Sequence, residues 1–490
     1  MSKSCSSIRW EVETQPTIKE QLMSKKASNC KRQQREQKFA FCLREFLSPS
    51  FFRQVYQAIS RRRKCRWEIQ PLLYVLLCMT WCLGDSQPER FETARAFCIT
   101  SHPKRRRPGK TYQGFQKALK ALPCRVLYTV AHLIRKQILS RFSSLMKTDG
   151  WFVLGCDGSR IRTPRTEELE KRLGDSGVDS NSKCKTPQVW LTALVHLQSG
   201  MPWSWWVGKG DASERNHLVR LIATLPLCAL VVTDAGYQSY LLAWKLIDAG
   251  HSFLMRASTQ TIFYVADAEN VTVEGKHQQV TAEALDKWTE GEVYYWPREA
   301  QESEGEQKPI KVRLIRIRAK KKKNDVWLVT NVLDQKRLTE ETAGKYYRMR
   351  WENEGYFRSY KHTLKKVKLS GRTVAAVHRE VLGSMLAVQL LLAQGLAAAV
   401  VMGKLQMAIS VRQLLILVRQ EMAAALRGKK RRGFLVRAAG CQREQRERTS
   451  KKQKRIWSAR QEQKPIKSPR IRVLSDTAKS LLCQLLLDAG

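Results

Sequence analysis

Two aspartates and a glutamate set among aromatic and basic residues are the side chains here whose types and spacing could do chemistry. In WFVLGCDG an apolar run ends at Asp157, and in ALVVTD another ends at Asp234; Gly158 and Gly236 follow within two positions. Each segment reads as a buried strand stopping at a turn. A single acid after a strand is commonplace, because turns attract Asp. Two acids at the ends of adjacent strands converge, and converging carboxylates suit a hard divalent cation. Such cations activate a water or hydroxyl and stabilise a leaving oxygen, which cuts a phosphodiester bond without a covalent enzyme intermediate.

The third element is GKYYRMRWENEGYFRSYKHTLKK, where Tyr347, Arg350, Glu354 and Lys361 stand at i, i+3, i+7 and i+14. At about 100° per residue these four fall within roughly 60° of one helical face. Glu354 can ligate a cation while Arg350 grips phosphate oxygens bidentately and Lys361 acts as a point charge. The ordinary alternative is a solvated salt-bridge stripe; the tyrosine among the charges and the two strand acids upstream weigh against it. His196, His217 and His362 lack the spacing of a metal pair and read as structural or solvent-facing.

Positioning these residues requires a defined run of elements. Residues 189–197 (VWLTALVHL) and 201–208 (MPWSWWVG) read as two strands joined in a hairpin at Gln198, Ser199 and Gly200. Asp211 or Ser213 then caps a helix through Leu218, Leu221 and Ile222. After the Asp234 strand come a helix around Leu241 to Ile247 and the strand SFLMRAS. The order from Trp151 is strand, strand, strand, helix, strand, helix, strand. Residues 260 to about 325 interrupt it with strand-like pieces, the acidic stretch Glu299 to Glu306 and the basic run Lys320 to Lys323, and read as a β-rich insertion. VWLVTN (326–331) returns the chain to the core, and one long helix is expected from Leu338 to about Lys366.

Charge identifies a partner class. Lys and Arg number 88 against 44 Asp and Glu, a net charge of +44, and an excess that large repels itself unless a polyanion or dispersed counterions neutralise it, with nucleic acid the leading partner. With 43% hydrophobic residues and 14 Trp the chain can still bury a large core, unlike a short ribosomal or chromatin-like protein. Basic clusters at Lys31, Arg32 and Arg35, at Arg61 to Lys64 and at Lys104 to Arg107 punctuate an otherwise amphipathic N-terminal stretch. That stretch is either a DNA-docking module or a basic helical cap. Thirteen scattered cysteines without a CxxC pair fit reduced, buried thiols, and the first residues lack the apolar stretch of a secretory signal. The apolar run Val381 to Gly403 is long enough to span a bilayer. Ser384, Gln389, Gln394 and its glycines favour a buried bundle helix, with a membrane protein bearing basic arms as the alternative.

The spacing of Tyr347, two residues, Arg350, three residues, Glu354, six residues and Lys361 resembles the signature of bacterial insertion-sequence DDE transposases, the group founded on insertion sequence four. GCDGSRIRTP around Asp157 and VVTDAGYQSYLLAWKLIDAGHSFLMRAS around Asp234 resemble that family's first and second acid regions, and similarity runs over roughly residues 150 to 400. The resemblance implies an α/β RNase H-like catalytic core, a mixed sheet flanked by helices, with a β-rich insertion between the second acid and the glutamate. It implies that Asp157, Asp234 and Glu354 are catalytic and hold two Mg²⁺ (or Mn²⁺) ions, with Asp157 bridging. Tyr347, Arg350 and Lys361 would contact DNA phosphates near the transposon end, and Trp288 or Trp296 would stack on a flipped base.

The expected organisation is a helical, basic, DNA-binding domain over 1–145; the catalytic domain over 146–375, with its insertion at about 260–325; a helical region over 376–426; and a basic, partly disordered tail over 427–490. In residues 427–472, 18 Lys and Arg face only Glu444, Glu447 and Glu462. The expected partners are double-stranded DNA, as transposon ends and target, and a second copy in the DNA-bound synaptic complex, with no membrane and a cytoplasmic, nucleoid-associated location. A nuclease on the same fold and a catalytically silent DNA-binding derivative are the competing functions.

Overall fold

A computed structural model of the chain describes residues 37–57, 67–173, 186–267, 272–275, 278–302, 308–319, 325–403, 409–429, 431–442 and 468–487. The first two basic clusters, the run Lys320 to Lys323 and tail residues 443–467 lie outside them. In the described part, twelve strands form one mixed sheet. They are β1 (Phe152–Arg162), β2 (Gln188–His196), β3 (Met201–Lys209), β4 (Ala229–Thr233), β5 (Ser252–Arg256), β6 (Ile262–Val265), β7 (Val273–Glu274), β8 (Gln279–Val280), β9 (Glu290–Tyr295), β10 (Ile310–Ile317), β11 (Val326–Thr330) and β12 (Arg470–Val473). Their order is β3-β2-β1-β4-β5-β11-β10-β9-β6-β12-β8-β7.

The expected run of strands and helices from Trp151 is present. β2 and β3 form the antiparallel hairpin, with Gly200 at φ 70 in its turn, a left-handed conformation that glycine adopts without a steric penalty. β4 is buried at all five positions because it lies between parallel neighbours β1 and β5, and parallel strands are covered on both faces. Ser213 is the cap of helix Glu214–Leu221, its hydroxyl accepting from the Asn216 amide at 3.4 Å.

Alternation along the strands divides the core in two. Val153 of β1, Leu230 and Val232 of β4, Leu254 of β5 and Leu328 of β11 pack with Ala343, Tyr346 and Tyr347 in a small cluster on one face. Phe152, Leu154 and Cys156, Val231, Phe253 and Val329 face the much larger cluster that includes the helical bundle.

Three expectations change. β1 does not stop at Asp157: it continues to Arg162, paired with β2 throughout, while its parallel pairing with β4 ends at Gly155 and Val232. The β-rich stretch is not set apart from the core. β10 pairs with β11 and with β9, so its strands occupy the edge that β11 would otherwise leave open. The tail returns to this sheet as well: β12 runs parallel to β6, and the helix Asp476–Leu487 follows it.

The N-terminal helices are likewise not a separate module. Helices between Phe39 and Phe142 share one apolar core with Val374–Val401, Val411–Leu426 and the sheet. Val374–Val401 is 28 residues long and apolar enough by length and composition to cross a membrane. Its polar residues each meet a different element. Gln389 Nε2 donates to the carbonyls of Pro202 and Trp203 at 3.0 and 3.1 Å, and Gln394 Nε2 to Cys42 O at 3.4 Å. The Ser384 hydroxyl bonds that of Tyr360 at 2.7 Å. The amide nitrogens are thus bonded to neighbouring elements, while Oε1 of Gln389 and of Gln394 is buried without a partner. Every described cysteine is free, and Cys42, Cys78, Cys82, Cys98, Cys156 and Cys441 are buried.

Candidate active site

Step-for-step continuation of the β1/β4 register, in which Gly155 faces Val232, brings Asp157 level with Asp234 on strands about 4.8 Å apart. The alternation that puts Val153 and Gly155 on the small-core face puts Asp157 there too, and Leu230 and Val232 carry Asp234 to the same side. Asp234 thus leaves the sheet, and Asp157 loses its β4 neighbour while still paired with β2, where the parallel pair ends, the position at which α/β sheets open a crevice. A glycine amide holds each: Asp157 Oδ1 accepts from Gly158 N at 2.8 Å, and Asp234 Oδ1 from Gly236 N at 2.9 Å.

Glu354 arrives from the same face. The expected long helix is two helices, Glu340–Met349 and Trp351–Arg358, followed by a π turn at Ser359–Thr363. At the join the amides of Arg350 and Asn353 donate three residues back, to Tyr347 O and Arg350 O at 3.1 and 3.0 Å. The helix tightens there and widens after Arg358, so the four signature residues do not form a uniform exposed stripe. Arg350 is drawn in to 9% exposure, its guanidinium 5.7 Å from the Tyr347 ring and 5.3 Å from that of Trp351. Asn353 is fully buried over Gly155, where a Cβ would lie 2.5 Å from its Nδ2. Asn353 thereby presses the helix onto β1 one residue before Glu354. Neither of its amide atoms has a hydrogen-bond partner. No sequence signal marked Asn353, because an Asn inside a helix is ordinarily unremarked.

The electrostatics agree with this convergence. Burial pushes the Asp157 carboxyl up to about 6, and the charges of Asp234 and Glu354 push it the same way, while the Gly158 amide and Arg350 oppose them. A second acid that sequence reasoning missed, Glu214, is pushed up to about 7 by burial, with Asp157 and Asp234 adding to the rise. An acid in the first turn of a helix is normally there for the helix dipole, so its position gave no signal.

The donor set is all carboxylate oxygen, which fits Mg²⁺ or Mn²⁺ better than softer metals. Among the described residues no three His, Cys, Asp or Glu side chains stand close enough together to hold one ion. The acids therefore do not form a closed cage. Ionised carboxylates at ligand spacing repel one another, and these three are tethered to separate elements.

The remaining expected site residues divide. Lys361 is half-buried; burial and the charge of Arg162 pull its ammonium's pKa down. Arg162 pairs with Lys368 in an isolated bridge, so Lys361, Arg162 and Lys368 form a basic strip at the far end of β1. Tyr347 is 8% exposed, its ring part of the small core. Trp296 is 1% exposed in the large core, so it has no accessible ring face for a base. Trp288 is half-buried, lies against Gly291 and donates Nε1 to Leu314 O at 3.2 Å; the indole is a packing element of β9 and β10. His196 is buried between Ser199 and Met146 O, His217 bonds Thr192, and His362 is exposed.

Residues 153–390 match the family model of the transposase DDE domain. No curated protein matches the chain. Among solved structures, the cryo-EM synaptic complex of piggyBac transposase with hairpin DNA is similar over 79% of this chain and 80% of that one, at a TM-score of 0.38 and 9% identity. A likeness that faint leaves the fold to rest on strand order and register. The matched stretch, 153–390, holds Asp157, Asp234 and Glu354.

Proposed function

We propose that the protein is a DDE transposase that cuts DNA at the ends of a mobile element and joins the freed ends to target DNA. On this reading Asp157, Asp234 and Glu354 are its metal-holding acids. The observation that carries it is the β1/β4 register, whose continuation past Gly155 and Val232 would bring Asp157 level with Asp234 on the face onto which Asn353 packs the helix of Glu354. The order β3-β2-β1-β4-β5, with β1 antiparallel to β2 and parallel to β4, supports an RNase H-like core. The signature spacing supports the insertion-sequence-four group.

Asp157, Asp234 and Glu354 would hold two divalent cations, Mg²⁺ or Mn²⁺, which when bound supply Lewis-acid activation of a water or 3′-hydroxyl and charge stabilisation of the leaving oxygen. The chain's own residues do the rest. Arg350 lies beside Asp157 and favours its ionised form. Lys361, Arg162 and Lys368 line up as point charges for a phosphate backbone. Incubation of the full chain with a plasmid carrying the element's ends, with Mg²⁺, should yield both cut ends and joined products. Cuts without joins would assign a nuclease, and neither product with intact DNA binding would assign a silent derivative. Two copies acting on two ends would form the synaptic complex.

The raised pKa of Asp157 gives a pH dependence. Its folded value of about 6 lies above the ordinary 3.8, so the folded, cation-free protein holds this proton more tightly than the unfolded chain. That contribution favours folding at pH below about 4 and is lost as pH rises through 6. Cation binding runs the other way, because the ligand must be deprotonated. Calorimetric titration of Mn²⁺ into the protein should show affinity falling as pH drops below about 6; affinity constant from pH 7 to 5 would remove Asp157 from the ligand set.

A further inference from the structure

Glu214 sits on the opposite side of the sheet from Asp157, and the chemistry above does not use it. Alternation along β1 sends Cys156 and Gly158 toward the large core, away from the face of Gly155 and Asp157. Gly158 has room there only because it lacks a side chain. A Cβ at that position would lie 2.8 Å from Glu214 Oε1 and 2.3 Å from Trp190 Nε1. The guanidinium of Arg160 covers the Trp190 ring at 4.5 Å. Tyr237 is fully buried, and its hydroxyl faces Glu214 and Cys156.

Trp190 Nε1 and Tyr237 OH are both buried without a hydrogen-bond partner at ordinary geometry. A buried donor left in that state is costly; the Glu214 carboxylate lies beside the Tyr237 hydroxyl and, like Trp190 Nε1, borders the space over Gly158. The next residue closes the arrangement. Arg215 Nε donates to Gly236 O at 2.8 Å, and the amide of the same Gly236 holds Asp234 Oδ1 at 2.9 Å. Two consecutive residues at the start of one helix therefore grip β1 one position beyond Asp157 and the turn two positions beyond Asp234.

We propose that Glu214, with Arg215, is a positioning brace that sets the spacing and aim of Asp157 and Asp234 from behind the sheet, by accepting from Trp190 and Tyr237 and by tying the Gly236 turn. The inference rests on the reading of those two aspartates as cation ligands. Partners that orient ligands without touching the cation commonly carry about 10- to 100-fold of metal affinity or activity. Its side chain lies on the other face, so on this proposal Glu214 acts by hydrogen bonding and holds no cation itself.

The test uses the full chain and the variants Glu214→Ala, Glu214→Gln and Tyr237→Phe. Amide hydrogen exchange of residues 232–240 is measured without divalent cation, alongside Mg²⁺-dependent cleavage and thermal melting. Glu214→Ala should speed exchange of the Asp234 turn and raise the Mg²⁺ concentration for half-maximal cleavage by about tenfold or more. Glu214→Gln retains an acceptor and should restore most of both; Tyr237→Phe should reproduce part of the alanine effect. Unchanged exchange in Glu214→Ala overturns the brace. So does a Glu214→Gln variant as defective as Glu214→Ala while melting like the wild type, since that would make the charge itself the requirement. A wild-type protein that does not cleave DNA removes the reading of the site, and the exchange comparison still decides the brace.

Discussion

Glu354→Gln is expected to lower DNA cleavage by at least about a thousandfold, while affinity for DNA measured without divalent cation stays within about twofold of wild type. The first figure reflects the several kcal/mol of transition-state stabilisation that a bound divalent cation supplies, at about 1.4 kcal/mol per tenfold. Glutamine keeps the shape and packing of the side chain, so helix Trp351–Arg358 stays pressed on β1 through Asn353 and Gly155. What is lost is one of the three charges facing the gap beside Asp157. Arg350, Lys361 and Arg162 remain for the phosphates, which is why binding persists. Cleavage within tenfold of wild type, measured on a linear fragment carrying one element end, would exclude Glu354 from the catalytic set. The same substitution separates the transposase reading from the silent derivative, which has no cleavage to lose.

The second large effect concerns salt. With a net charge of +44, the protein should bind DNA by displacing many condensed counterions. Six to ten phosphate contacts would cost roughly 10³- to 10⁵-fold in affinity between 50 and 200 mM monovalent salt. The described surface contributes the strip Lys361, Arg162 and Lys368 and the exposed loop Lys104 to Arg107. That loop links the helices Gln87–Ser101 and Tyr112–Ala121. Fluorescence anisotropy with a labelled duplex across that salt range measures the slope. A change of less than tenfold would mean that the excess charge does not meet the backbone, and the argument from composition would fail with it. Alanine substitution at Lys368 should weaken binding to all duplexes alike, because a phosphate contact carries no base information.

Much of the site was legible in the sequence because its carriers are short and local. ALVVTD is apolar at every strand position and ends in an acid, so both the strand and its exit to the crevice follow from six residues. The Tyr347, Arg350, Glu354 and Lys361 spacing is likewise local, as is the hairpin around Gly200. The apolar stretch Val381 to Gly403 was read as a buried bundle helix, and all but its last two residues lie in the helix Val374–Val401, most of it buried.

Other features depended on which segments meet. Asp157 was expected at a strand's end, yet β1 runs five residues further because β2 offers a full-length antiparallel partner, while β4 stops at Thr233. The family resemblance implied a base contact for Trp296 and a phosphate contact for Tyr347; packing places both rings in the cores, where a large ring stabilises by leaving water. The β-rich stretch and the strand near residue 470 belong to one sheet because open edges seek partners regardless of distance along the chain, and no local pattern records that pairing. Glu214 and Asn353 became visible only when Gly158 and Gly155 were seen to leave room for them. Periodicity and spacing by themselves marked the strands and singled out the three acids, and charge pointed to the kind of partner. The tertiary structure decided on which face each acid stands, what braces it from behind and which aromatic rings stay covered, because those are set by contacts between residues tens to hundreds of positions apart.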